Sequence, residues 1–241
     1  MKSLKAIIFC PAALFFLSPA FAQSFSNPVN ARFAGMAGEG MALPDVWSGY
    51  RNQAGLAYIR HLSMSLHYED PFLIPECSLK ALAVAIPVTK GTFGIICSLS
   101  GYSGYYESHA GLAYGKTFGS RLSAGIGLNY LRIGQPGDYG NMNALVPEVS
   151  ILARPADNFH IGFHLFNPAR QNFPQSHDQA IPSYMEAGIG YRITDQVVLC
   201  AGAEKAAREK QVLRAGFEWV MIRNLSFRMG VSSAEISRYA L

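Results

Sequence analysis

Three absences narrow the chain before any motif is considered. Beyond residue 22 no apolar run is long enough to cross a bilayer as a helix; Ala81 to Val88 is among the longest. The four cysteines, Cys10, Cys77, Cys97 and Cys200, are widely spaced with no C-x-x-C pair, which excludes a zinc site of that type, and the three beyond residue 22 make no disulfide framework. No cluster of Lys or Arg stands out in a chain of formal charge +4, so nucleic acid is not a partner.

Catalytic signatures are missing too. There is no phosphate-binding loop, and Gly101-Tyr102-Ser103-Gly104 is one residue short of a nucleophile elbow. His160-Ile161-Gly162-Phe163-His164 would place two imidazoles one turn apart on a helix. On a strand they share a face at roughly 13 Å, so they read as polar interior groups rather than ligands. No catalytic residue, metal or cofactor is expected.

The N-terminus carries an export pattern. Lys2 and Lys5 precede the apolar stretch Ala6 to Leu17, and Ala20-Phe21-Ala22 matches a signal-peptidase site. Residues 1–22 therefore read as a signal peptide with the mature chain starting at Gln23. The stretch is too short, and lacks a charged stop, for a membrane anchor. Loss of Lys2 and Lys5 lowers the formal charge from +4 to +2.

What is abundant is strict two-residue alternation. Leu122, Ala124, Ile126, Leu128 and Tyr130 fall on one face; Ser123, Gly125, Gly127 and Asn129 fall on the other. The pattern recurs through Phe93–Leu99, Ala110–Tyr114, Phe159–Leu165, Met185–Tyr191, Leu213–Trp219 and Leu225–Met229. It predicts about eleven strands, near 61–68, 78–87, 91–100, 108–118, 121–133, 145–154, 158–166, 183–193, 196–204, 211–221 and 224–231. Short turns near 89–91, 119–120, 155–157, 194–195 and 223–224 alternate with longer connections near 69–77, 101–107, 134–144, 167–182 and 205–210. The connection 167–182, with Asn167-Pro168-Ala169-Arg170 and His177-Asp178, reads as solvated.

One face of these strands is nearly all apolar. The other carries glycine and isolated polar groups: Glu148, His160, His164, Glu186, Arg214, Glu218 and Arg228. Apolar outside and polar inside is the pattern of an antiparallel transmembrane β-barrel, with residues 59–241 as its wall, outer-membrane lipid around it and polar groups lining its lumen. A soluble periplasmic β-sandwich would also alternate. Eleven is an odd count, and Ala240-Leu241 is not an aromatic final strand, so further strands beyond Leu241 are expected to close the barrel.

Residues 23–58 lack the strand pattern and are rich in glycine. Ala31-Arg32-x-x-Gly35-Met36-x-Gly38, followed by Asp45-Val46-Trp47-Ser48 and Asn52-x-Ala54-Gly55-Leu56-Ala57, resembles the start of FadL-like outer-membrane proteins. That superfamily includes long-chain fatty-acid transporters and the PorV/PorQ-like barrels of Bacteroidetes-type bacteria. Gln53 stands where the family usually has proline. The resemblance implies a fourteen-stranded outer-membrane barrel whose N-terminal segment enters the lumen as a hatch, shaped in part by Asn52, Ala54 and Gly55. It implies a protein that handles hydrophobic small molecules, or exported protein cargo, without chemistry. The alternatives are a docking component of a type IX-like secretion system and, last, an outer-membrane lipase-type enzyme.

Overall fold

The computed structural model describes residues 30–135, 140–175, 181–207 and 209–233. The expected signal peptide, His177-Asp178 and the chain beyond Ser233 lie outside the described residues.

All eleven expected strands form, in one antiparallel sheet whose spatial order is the sequence order. They are β1 (Ser63–Glu69), β2 (Leu79–Val88), β3 (Gly91–Tyr102), β4 (Tyr105–Phe118), β5 (Leu122–Gly134), β6 (Asn141–Ala156), β7 (Phe159–Phe166), β8 (Tyr184–Arg192), β9 (Val197–Ala206), β10 (Val212–Ile222) and β11 (Leu225–Ser232). Among the described residues no helix is long and apolar enough to cross a membrane, so any crossing is made by strands.

The faces fall as the alternation dictates. Ile126, Leu128 and Leu145 are 61, 52 and 58% exposed, while Ser123, Asn129 and Glu148 between them are buried. Exposed Leu, Ile, Phe, Tyr and Met run along every strand from Met64 on β1 to Met229 on β11. An apolar surface of this extent is the face a sheet turns to lipid.

Two connections differ from expectation. Residues 101–107 are not a long loop: β3 and β4 continue to Tyr102 and Tyr105, which pair across a two-residue turn. β6 begins at Asn141 rather than 145, because Asn141–Ala144 keep alternating and pair with Leu131–Gly134. The remaining long connections still lie at one end of the sheet, called the loop end, opposite the turn end.

The space on the inner face is taken by residues 30–59. Helix α1 (Ala31–Ala34) starts at Asn30, whose side chain accepts the Phe33 N–H at 2.9 Å. Helix α2 (Ser48–Arg51) follows a turn held by Ser48 Oγ accepting from Asp45 N–H. A 3-10 turn, Gln53–Tyr58, then leads out.

This segment lies directly on the glycines of the wall. A β-carbon built on Gly125 would sit 2.3 Å from Ala54 N, one on Gly115 2.3 Å from Gln53 O, and one on Gly230 2.2 Å from Met36 C. Gly162, Gly190 and Gly216 face Met41, Leu43 and Met36 in the same way. A short segment touching β3 through β11 requires the sheet to curl around it.

Gly125→Val should displace the Gln53–Ala54 backbone and destabilise the fold by about 1–3 kcal/mol, the usual cost of overpacking. Ala124→Val, on the outer face of the same strand, should stay within about 0.5 kcal/mol. Unfolding in denaturant, followed by tryptophan emission, compares the two.

Candidate functional site

The inner face is layered from one end to the other. Along β6 the inward residues read Met142, Ala144, Val146, then Glu148 and Ser150, then Leu152 and Arg154. Each stretch meets a different partner.

At the loop end the layer is apolar. Leu131, Ile133, Met142, Ala144, Val146 and Phe166 are buried together with Phe173 and Ile181 of the connection 167–183, and Tyr105 and Tyr184 pack beside them. The connection is therefore not simply solvated: Phe173 and Ile181 are 2 and 4% exposed. Asn167 shapes it. Its φ of 53° is the left-handed conformation asparagine tolerates, and its side chain accepts from Gln171 N–H and donates to the Gln171 and Ile181 carbonyls.

The middle layer is charged. His164 lies between two carboxylates, with Nε2 3.0 Å from Glu148 Oε2 and Nδ1 3.3 Å from Glu186 Oε2. Register places it directly opposite Glu186 on β8 and Ser150 on β6. Glu186 also receives Arg51 of the N-terminal segment at 3.1 Å, with Arg214 at 3.9 Å; Arg214 bonds Glu204 at 2.7 Å. Arg51 also donates to the Gly38 carbonyl. A second cluster holds α1: Glu218 receives Arg32 at 2.6 Å and Arg228 at 2.7 Å, and Arg32 reaches Asp45 at 3.2 Å.

Of the sequence-selected polar residues, Glu148, His164, Glu186 and Arg214 thus form one network, and Glu218 with Arg228 another. His160 joins neither; it lies near the turn end. The selected segment residues are all buried. Ala54 is clamped by the wall, its N–H donating to Ser150 Oγ and its carbonyl accepting from Ser123 Oγ. Asn52 donates to the Met41 carbonyl. Gly55 faces Ser48, whose Oγ would lie 2.5 Å from an added β-carbon.

Sequence reasoning quoted Arg32 and Asp45 only as motif residues, and passed over Glu39, Arg51 and the inward Leu131 and Ile133. Alternation carried two residues further along β5 would have placed that pair on the inner face. Glu39 is 3% exposed, fills the space over Gly188 and Gly202, and its Oε1 has no hydrogen-bond partner. Burial pushes its carboxyl above the usual range, against the pull of Arg51.

Among the described residues no three His, Cys, Asp or Glu are arranged to hold a metal ion. A cavity of about 410 Å³ opens to solvent at the turn end, lined by Arg60, Lys90, Lys116 and the threonines Thr89, Thr92 and Thr117, apart from the charged layer.

Two solved structures share this fold. A Pseudomonas aeruginosa FadL homologue superposes with a TM-score of 0.61 at 13% identity, over 85% of this chain and 79% of that one. The CymD monoaromatic hydrocarbon channel gives 0.63 at 13%, over 85 and 83%. The chain therefore has the fold of FadL-type outer-membrane barrels. No family model matches the sequence, and no curated protein matches it.

Removing one partner from the middle layer should be costly, because the other charges stay buried. Arg51→Met should lose about 3–5 kcal/mol in denaturant unfolding. Glu39 should give a pH signature of the opposite sign to an ordinary ion-paired carboxylate. Its folded pKa lies above the unfolded value near 4.5, so its contribution is fully present below that value and is lost as pH rises through the folded pKa. Glu39→Gln should remove that decline, and the difference between the stability–pH curves of the two proteins measures it.

Proposed function

We propose that this chain is an outer-membrane channel of the FadL type that admits hydrophobic small molecules and performs no chemistry on them, with residues 30–59 as its hatch. The observation that carries the reading is the apolar layer inside the sheet at the loop end. A sheet whose outside is already lipid-facing has no need of Leu131, Ile133, Val146 and Phe166 on its inside, unless apolar matter packs there. Phe173 and Ile181 fill that place in this structure. The Asn167 side chain ties Gln171 and Ile181 together at the base of their connection.

Below this chamber the buried segment blocks a straight aqueous path. A molecule entering from the loop end meets an apolar site first and the charged layer next. The fold of a hydrocarbon channel and a FadL homologue supports the same reading.

The test uses the folded chain in a neutral detergent and a fluorescent apolar probe, 1-aminoanthracene. Binding should weaken about tenfold in Val146→Asp, the scale expected for losing one buried apolar contact on the wall of the site. Hydrophobic molecules retained through purification should be found by mass spectrometry. No binding and no retained molecule, with a stable protein complex recovered instead, would favour the docking role in type IX-like secretion.

A further inference from the structure

The turn-end mouth holds a group of polar side chains with no role in the layers above. His160 is 6% exposed, and its Nε2 is buried with no partner. Two arginines flank it. On β6, Arg154 follows Ala153, which pairs with Ile161; on β8, Arg192 lies two residues beyond Gly190, which pairs with His160. All three side chains belong to the inner face at the turn end.

The hatch closes the group from one side. The Arg154 guanidinium stacks over the Tyr58 ring at 4.7 Å, and the Tyr58 hydroxyl is itself buried without a partner. Neither arginine makes an ion pair among the described residues; Asp157 and Asp195 in the adjoining turns are exposed and bond neither. The half-buried Arg154, the exposed Arg192 beyond it and two orphaned polar atoms thus lie at one place in the fold, with both arginines within electrostatic reach of His160 and no negative charge bonded among them. Buried polar groups left unpaired cost free energy, so a site like this suits a ligand that supplies acceptors to the guanidiniums and the Tyr58 hydroxyl, and an oxygen or a hydroxyl to Nε2 according to the imidazole tautomer.

We propose that Arg154, Arg192, His160 and Tyr58 form a binding site for a phosphate group. Two guanidiniums carry twice the charge of one carboxylate. A phosphate group brings several acceptor oxygens to these donors, and carries one negative charge as a phospholipid diester and between one and two as a free phosphate or monoester near neutral pH. The surroundings favour the same ligand. Exposed Arg60, Lys90, Arg121 and Arg223 lie at this end against only Asp157 and Asp195, and the outward Phe159–Tyr191 pair stands on the outer face of the same strands. A phosphate arriving there comes either from a phospholipid headgroup or from a soluble phosphate compound.

The full chain, folded in a neutral detergent, is titrated calorimetrically with inorganic phosphate, with dihexanoyl phosphatidylglycerol and with acetate. The site predicts phosphate binding at a Kd of about 1 mM or tighter, and acetate at least about tenfold weaker. Arg154→Gln and Arg192→Gln should each weaken phosphate binding about tenfold or more, and His160→Phe should weaken it as well. Retained native gel mobility before heating shows that each variant is folded. A much tighter phosphatidylglycerol would assign the site to a lipid headgroup, and equal affinities would assign it to soluble phosphate. Equal binding of acetate and phosphate, no binding of phosphate, or unchanged binding in the folded arginine variants would overturn the proposal.

Discussion

The close seating of the N-terminal backbone on inward-facing glycines is the constraint from which the rest of the structure follows. A polypeptide placed inside a curled sheet must bury its amides and carbonyls, and each left unpaired there costs free energy. Glycine lets the two backbones approach, and the serines beside it supply what the buried amides need. Ser123 and Ser150 do this for Ala54 from both sides. The same economy sets the wall's inner pattern: small residues where the segment lies, large apolar ones where it does not.

The charged layer follows from that placement. Arg32 and Arg51 enter with the segment, and their partners Glu218 and Glu186 are on the wall. Pairs of this kind repay little of their desolvation as net stability, but they fix which part of the segment meets which strand. His164, held between Glu148 and Glu186, continues the layer across β6, β7 and β8. It separates an apolar layer at one end from a basic mouth at the other, so the interior changes character twice along its axis.

Much of this was legible in the residues. Strict alternation on β5, β7, β8 and β10 identified strands and faces, and with them the buried positions of His164, Glu186 and Glu218, because a period of two leaves a side chain only one choice of face. The β3–β4 loop was misjudged because Gly101 and Ser103-Gly104 look like loop residues, while cross-strand pairing of Tyr102 and Tyr105 makes them a hairpin. The packing of 167–183 was invisible for a different reason: Phe173 and Ile181 have no periodic neighbours, and only the tertiary fold brings them over Val146 and Phe166. The wall partners of Arg32 and Arg51, Glu218 and Glu186, lie more than a hundred residues away, beyond what local spacing can show.

Hydrogen–deuterium exchange on the full chain in detergent tests the seating of the segment most directly. Peptides covering residues 30–58 should be protected on the same timescale as those of β5 and β6, since the segment is buried against the wall and the Ala54 amide donates to Ser150 Oγ at 2.9 Å. Exchange of 30–58 at the rate of an unfolded peptide, with β5 and β6 protected, would show that the segment does not occupy the interior and would contradict the account.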